Sequence, residues 1–147
     1  MSGDLHVVEH RRAPVALWLR CRDWLDSLLR EFDIIVADAD EAAPRDLVEF
    51  VESASWQFGQ FTVTVPRRVE AAKERGDAYV DLEMSLPAEA ADAAAEFMRL
   101  IDAADRFCRR GDLMTLALDD ELRSYLDWYL GEIRAQLAGS EPRPWEG

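Results

Sequence analysis

From Pro14 to about Val36, apolar residues recur at spacings of three and four: Leu17, Trp18, Cys21, Leu25, Leu28, Leu29, Phe32 and Ile35. With Arg20, Arg22, Asp23, Asp26, Arg30 and Glu31 mostly off that stripe, the spacing predicts a first helix, and Pro14 suits its opening turn. Asp38-Ala39-Asp40-Glu41 ends the pattern. A second helix is predicted from Pro44, carrying Leu47, Val48, Val51, Ala54 and Phe58 up to Gly59. A third, shorter one has Thr64 as cap, Pro66 in its first turn and Gly76 as its stop. Between Ala78 and Leu86, Val80, Leu82, Met84 and Leu86 alternate with Asp81, Glu83 and Ser85, a period of two that predicts an extended segment. It has no obvious strand partner, so it is expected to lie across the helices.

Pro87 opens the fourth predicted helix, which runs to Arg110 with Gly111 as its stop and a stripe of Ala90, Ala94, Phe97, Ile101, Ala104 and Cys108. At about 1.5 Å per residue it spans about 36 Å, so it needs a neighbour of similar length, and the first helix is the candidate. The fifth, from about Asp119 to Ala138, is capped by Asp119 and buries Leu122, Leu126, Tyr129, Leu130, Ile133 and Leu137. Pro142 and Pro144 forbid its continuation. The expected fold is all-α: a single-domain bundle of about five helices with one short extended segment, spanning residues 1–147. Residues 1–13 form an N-terminal arm and residues 139–147 a C-terminal tail.

Length and composition agree with one folded domain, since 147 residues with 49% apolar and 32% charged content are globular. Seventeen basic against thirty acidic residues give a net charge of −13, which repels phosphate backbones and argues against nucleic acid as a partner. Sixteen of the basic residues are arginine. Residues 31–60 hold eight acids and one arginine, so more than half of the net charge lies there. No apolar run approaches a membrane span, and the first residues lack a secretory apolar core, so a cytoplasmic protein with no membrane contact is expected. Two cysteines make no disulfide framework.

Candidate chemistry is sparse. His6-Val7-Val8-Glu9-His10 matches H-x-x-E-H, a zinc-hydrolase pattern, but lies in a β-branched stretch with no third histidine. Ile34 to Ala37 followed by Asp38-Ala39-Asp40 is similar to the D-x-D of aspartyl phosphotransferases, without the parallel sheet those enzymes need. Glu89, Asp92, Glu96, Asp102 and Asp105 lack the E-x-x-H pairs of a di-iron bundle and are expected in solvent. Cys21 and Cys108 lie on the stripes of the two helices expected to pair, and are read as packing residues. No catalytic residue, metal ligand or cofactor site is assigned.

Ala104 through Ala117, containing Phe107-Cys108-Arg109-Arg110-Gly111-Asp112-Leu113-Met114-Thr115, together with Tyr125 through Leu130 and Pro142 through Trp145, resembles a family of small helical proteins of high-GC bacteria. These are often encoded beside STAS-type anti-sigma-factor antagonists, anti-sigma kinases and PP2C-type phosphatases. The likeness runs from about Leu17 to Trp145, with Leu118-Asp119 departing from a proline-containing start to the last helix. It implies a non-enzymatic regulatory or adaptor protein that binds another protein in sigma-factor partner switching. Asp38, Asp40, Glu41 and Asp46 would steer a basic partner, Trp56, Phe61 and Trp145 would supply buried anchors, and Arg109 and Arg110 an anion contact. For Trp145, pinning the tail onto the bundle is the other reading. Two alternative functions remain open: a small-molecule sensor with an aromatic pocket lined by Trp18, Trp24, Phe97 or Trp128, and a metal-dependent hydrolase using His6, Glu9 and His10.

Overall fold

A computed structural model describes residues 4–37, 45, 49, 66–115 and 117–146. Its elements run β1 (Leu5–Pro14), α1 (Val15–Ala37), α2 (Arg67–Arg75), β2 (Tyr79–Pro87), α3 (Ala90–Arg109) and α4 (Asp120–Leu137). β1 and β2 form a two-stranded antiparallel sheet. The described chain is therefore mixed α and β, four helices and one sheet, which corrects the all-α bundle of five helices. Of the predicted second helix at 44–58, only residues 45 and 49 are among the described residues.

The expected N-terminal arm is the missing partner of the extended segment. Val8 faces Met84 and His10 faces Leu82 across the ladder, and Val8, His10 and Leu82 are buried. Two features hid this strand. Leu5 and Val7 are apolar but exposed, which blurs the alternation, and the register shifts between His10 and Ala13. At that bulge Arg12 adopts φ 56°, a conformation costly for a side-chain-bearing residue. Its contacts offset the cost: the Arg12 N–H donates to Asp81 Oδ1 at 2.8 Å, and its guanidinium lies 4.2 Å from the Tyr79 ring centroid. The free edge of β1 is covered at Glu9 by the Gln136 side chain. Glu9 N donates to Gln136 Oε1 and Gln136 Nε2 donates to Glu9 O, both at 2.8 Å, so one amide stands in for a neighbouring strand.

Helix ends follow the local chemistry. Asp119 accepts from the Leu122 N–H at 2.8 Å as the cap of α4, and that bond, followed by Arg20, holds its carboxyl below the usual range. Gly76, at φ 76°, closes α2 in the left-handed conformation. Pro87 ends β2 rather than opening a helix, and α3 starts at Ala90.

α3 packs against α4, the helix that follows it, and α1 packs against α4 as well. This corrects the expected pairing of the fourth predicted helix with the first. The reason is the short link between α3 and α4, which is clamped by polar groups. Asp105 is buried: Oδ1 accepts from Leu118 N at 2.8 Å, and Oδ2 from Arg109 Nε at 2.9 Å. Arg109 Nη2 also donates to Leu118 O at 3.0 Å, and Arg123 pairs with Asp102. From α1, Glu31 accepts from the backbone N–H groups of Met114 and Thr115 and from the Thr115 hydroxyl. Asp105, expected in solvent, is thus an internal clamp.

Candidate functional site

The largest consequence of this packing is a space of about 480 Å³ among α1, β2, α3 and α4. α1 contributes Trp18, Cys21, Arg22 and Leu25; β2 contributes Met84 and Leu86; α3 contributes Ala90, Ala93, Ala94 and Phe97. α4 supplies the longest wall, Tyr125, Leu126, Tyr129, Leu130 and Ile133, and Pro66 stands at one side. The alanines of α3 invite close helix approach, yet they face this space, so their small side chains leave it open.

The space is partly open to solvent rather than enclosed, with exposed Arg22 and Ala93 among its lining residues. Its volume lies within the roughly 300–1,000 Å³ of small-molecule sites. Of the four aromatic residues named from sequence, Trp18 and Phe97 line it, while Trp24 and Trp128 do not.

The wall holds few polar groups. Burial pushes the Cys21 thiol up to about 12, and it keeps the Tyr125 and Tyr129 phenols protonated well above their ordinary range. Among the described residues neither phenol donates a hydrogen bond to the protein. Among the described residues Arg22 is the one charged side chain of the lining. Cys108 lies elsewhere, also raised to about 12 by burial and then by Asp105 and Glu31. At such values both thiols stay protonated at neutral pH.

The opposite face of α4 is packed with rings. His10 stacks on Tyr129 at 3.9 Å and 6°, and meets Trp128 edge-on at 5.3 Å. Trp145 closes this cluster against Tyr125 and Trp128 at centroid distances of 6.0 and 5.6 Å. The tail is fixed by its backbone too: Trp145 N donates to Arg11 O, Arg12 Nη1 to Trp145 O at 2.9 Å, and Trp128 Nε1 to Arg143 O at 2.9 Å. Buried Glu132 accepts from Arg143 N at 2.7 Å.

The structure distributes the remaining sequence-derived candidates as follows. Trp145 is only 7% exposed, packed on Tyr125 and Trp128, which agrees with its reading as a pin for the tail. Arg109 is engaged with Asp105 and Leu118, and Arg110 pairs with Asp112 and lies over Phe107. Asp38, Asp40, Glu41, Asp46, Trp56 and Phe61 lie outside the described residues. His6, Glu9 and His10 sit on a strand, not a helix. The histidines are therefore about 13 Å apart along the backbone, with Glu9 on the opposite face. His10 is fully buried and its Nε2 lies 2.8 Å from Tyr129 O. Among the described residues no three ligating side chains gather to hold a metal, and no helix is long and apolar enough to cross a membrane.

The cavity residues that sequence reading missed are Met84, Leu86, Ala93 and the α4 wall, whose apolar stripe reads equally well as ordinary core. Comparison with protein-family profiles, curated proteins and solved structures finds no match.

Proposed function

We propose that this protein is a non-enzymatic binder of an apolar small molecule, held between α1, β2, α3 and α4. The observation that carries the reading is the 480 Å³ space walled almost entirely by apolar side chains from four elements. A ligand there would bury its own surface and replace the missing contacts of the wall. The test is titration of the full chain with dodecanol and 1-naphthol, followed by tryptophan fluorescence and thermal unfolding, Trp18 serving as the reporter on the wall. At a hundred times its dissociation constant a ligand stabilises the fold by about 2.7 kcal/mol. Ala94→Phe, which fills the space, should remove that gain. No shift from either compound rejects the reading.

A second reading, a regulator that docks on a protein of sigma-factor partner switching (a STAS protein, anti-sigma kinase or PP2C-type phosphatase), draws support from one surface feature. Met114 is 91% exposed and Ile34, one turn beyond Glu31 on α1, is 63% exposed, while Glu31 holds the Met114 backbone. Exposed apolar side chains on a polar-clamped loop suit a contact surface. Affinity capture from the native host with the unaltered chain and with a Met114→Glu, Ile34→Glu variant tests this. Recovery of such a partner by both forms equally, or by neither, counts against it.

A further inference from the structure

Resting on the cavity reading above, we infer that the ligand is an amphipathic carboxylate, with its apolar body inside and its head group paired to Arg22. Among the described residues Arg22 is the one charged side chain lining the space, in a chain of net charge −13. It follows the buried Cys21 on α1, yet its side chain is 43% exposed, so the residue borders both the space and solvent. Among the described residues its ion-pair contact is Asp26, one turn along the helix, at 4.0 Å. An exposed pair at that separation constrains an arginine little. The guanidinium fork therefore keeps two adjacent N–H donors for a carboxylate, a geometry that matches this head group bidentately.

The charge balance sharpens the argument. A strongly acidic molecule repels anions at long range, and a neutral apolar ligand needs no cation at the entrance. An arginine beside described wall residues that carry no other charge supplies short-range attraction for an anion and disfavours a cation. The wall behind it (Trp18, Leu25, Met84, Leu86, Phe97) takes the hydrocarbon part.

The experiment titrates the full chain with dodecanoate, dodecanol and dodecyltrimethylammonium below their micelle concentrations, reading calorimetric heat and tryptophan fluorescence. Dodecanoate should bind about tenfold tighter than dodecanol, the scale of one charge-assisted pair, with the ammonium weakest. Arg22→Gln should bring dodecanoate down to the affinity of dodecanol, and Arg22→Lys should recover part of the preference. Because Arg22 is half exposed, its replacement leaves the fold intact, and an unchanged melting temperature of the ligand-free variant checks that. Equal affinity for dodecanoate and dodecanol, or a preference that survives Arg22→Gln, overturns the carboxylate inference while the apolar cavity stands. Binding of none of the three overturns the cavity reading and this inference with it.

Discussion

The two faces of α4 share Tyr125 and Tyr129 and end in opposite states. On one, Tyr125 and Tyr129 meet His10, Trp128 and Trp145, and the tail's backbone is bonded to β1 and to Glu132. On the other, the same tyrosines, with Leu126, Leu130 and Ile133, look into open apolar space. The filled face has side chains of complementary size arriving from β1 and the tail. The open face is met from α3 by three alanines and Phe97, with Trp18, Met84 and Leu86 standing across the space. Aromatic content alone therefore does not decide whether a helix face becomes core or cavity; the volume brought by the opposing element does.

The largest expected effect breaks the filled face. Trp145→Ala should cost about 3–5 kcal/mol in denaturant unfolding, because it removes a buried indole and frees the tail. A loss below about 1 kcal/mol would mean that the tail is not part of the core.

Next comes protonation of the same cluster. Burial lowers the His10 pKa below its ordinary 6.5, against the opposing influence of the Tyr129 carbonyl and the Glu132 carboxylate. Its Nδ1 has no hydrogen-bond partner among the described groups, so a proton there gains nothing. Above pH 6.5 the ring is neutral in both folded and unfolded chains and contributes no pH dependence. As pH falls below 6.5 the unfolded chain takes up a proton that the folded chain refuses. Stability should then drop by up to about 1.4 kcal/mol per pH unit until the lowered folded pKa is reached. Unfolding at pH 7.5 and 5.5 should show this slope, and His10→Gln should flatten it. An unchanged slope in the variant would assign the effect to other groups.

A smaller effect sharpens the open face. Ala94→Leu should raise stability by roughly 1 kcal/mol in the ligand-free protein while weakening dodecanol binding, since it adds contacts to an underfilled wall. Destabilisation would show that the space is narrower than it stands here. Smallest of all, Tyr125→Phe and Tyr129→Phe should each change stability by less than about 0.5 kcal/mol. Their hydroxyls make no hydrogen bond to a described residue, whereas a bonded buried hydroxyl is worth about 1 kcal/mol.

Much of the local structure was legible. The stripes of α1, α3 and α4, the Asp119 cap and the glycine at the end of α2 are consequences of side chains within one or two turns of each other. The period of two at β2 was equally plain. Its partner was not, because β1 lies more than sixty residues away, carries exposed Leu5 and Val7, and is interrupted by the Arg12 bulge. Asp105 read as solvent-facing for a similar reason: only the returning Leu118 backbone shows what its carboxylate is for.

The candidate site was half visible. Trp18 and Phe97 could be named from their stripes, but a stripe reports that a face is apolar, not whether another side chain fills it. Sequence by itself determined the stripes of α1, α3 and α4, the Asp119 cap, the Gly76 stop and the acidic balance, since propensity, periodicity and charge are local or additive properties. Tertiary structure alone decided that the N-terminal segment is a strand, that Trp145 turns inward, and that α3 presents alanines to an open space lined by α4. Those outcomes depend on which distant surfaces meet and how their volumes match, and no periodicity along the chain encodes that.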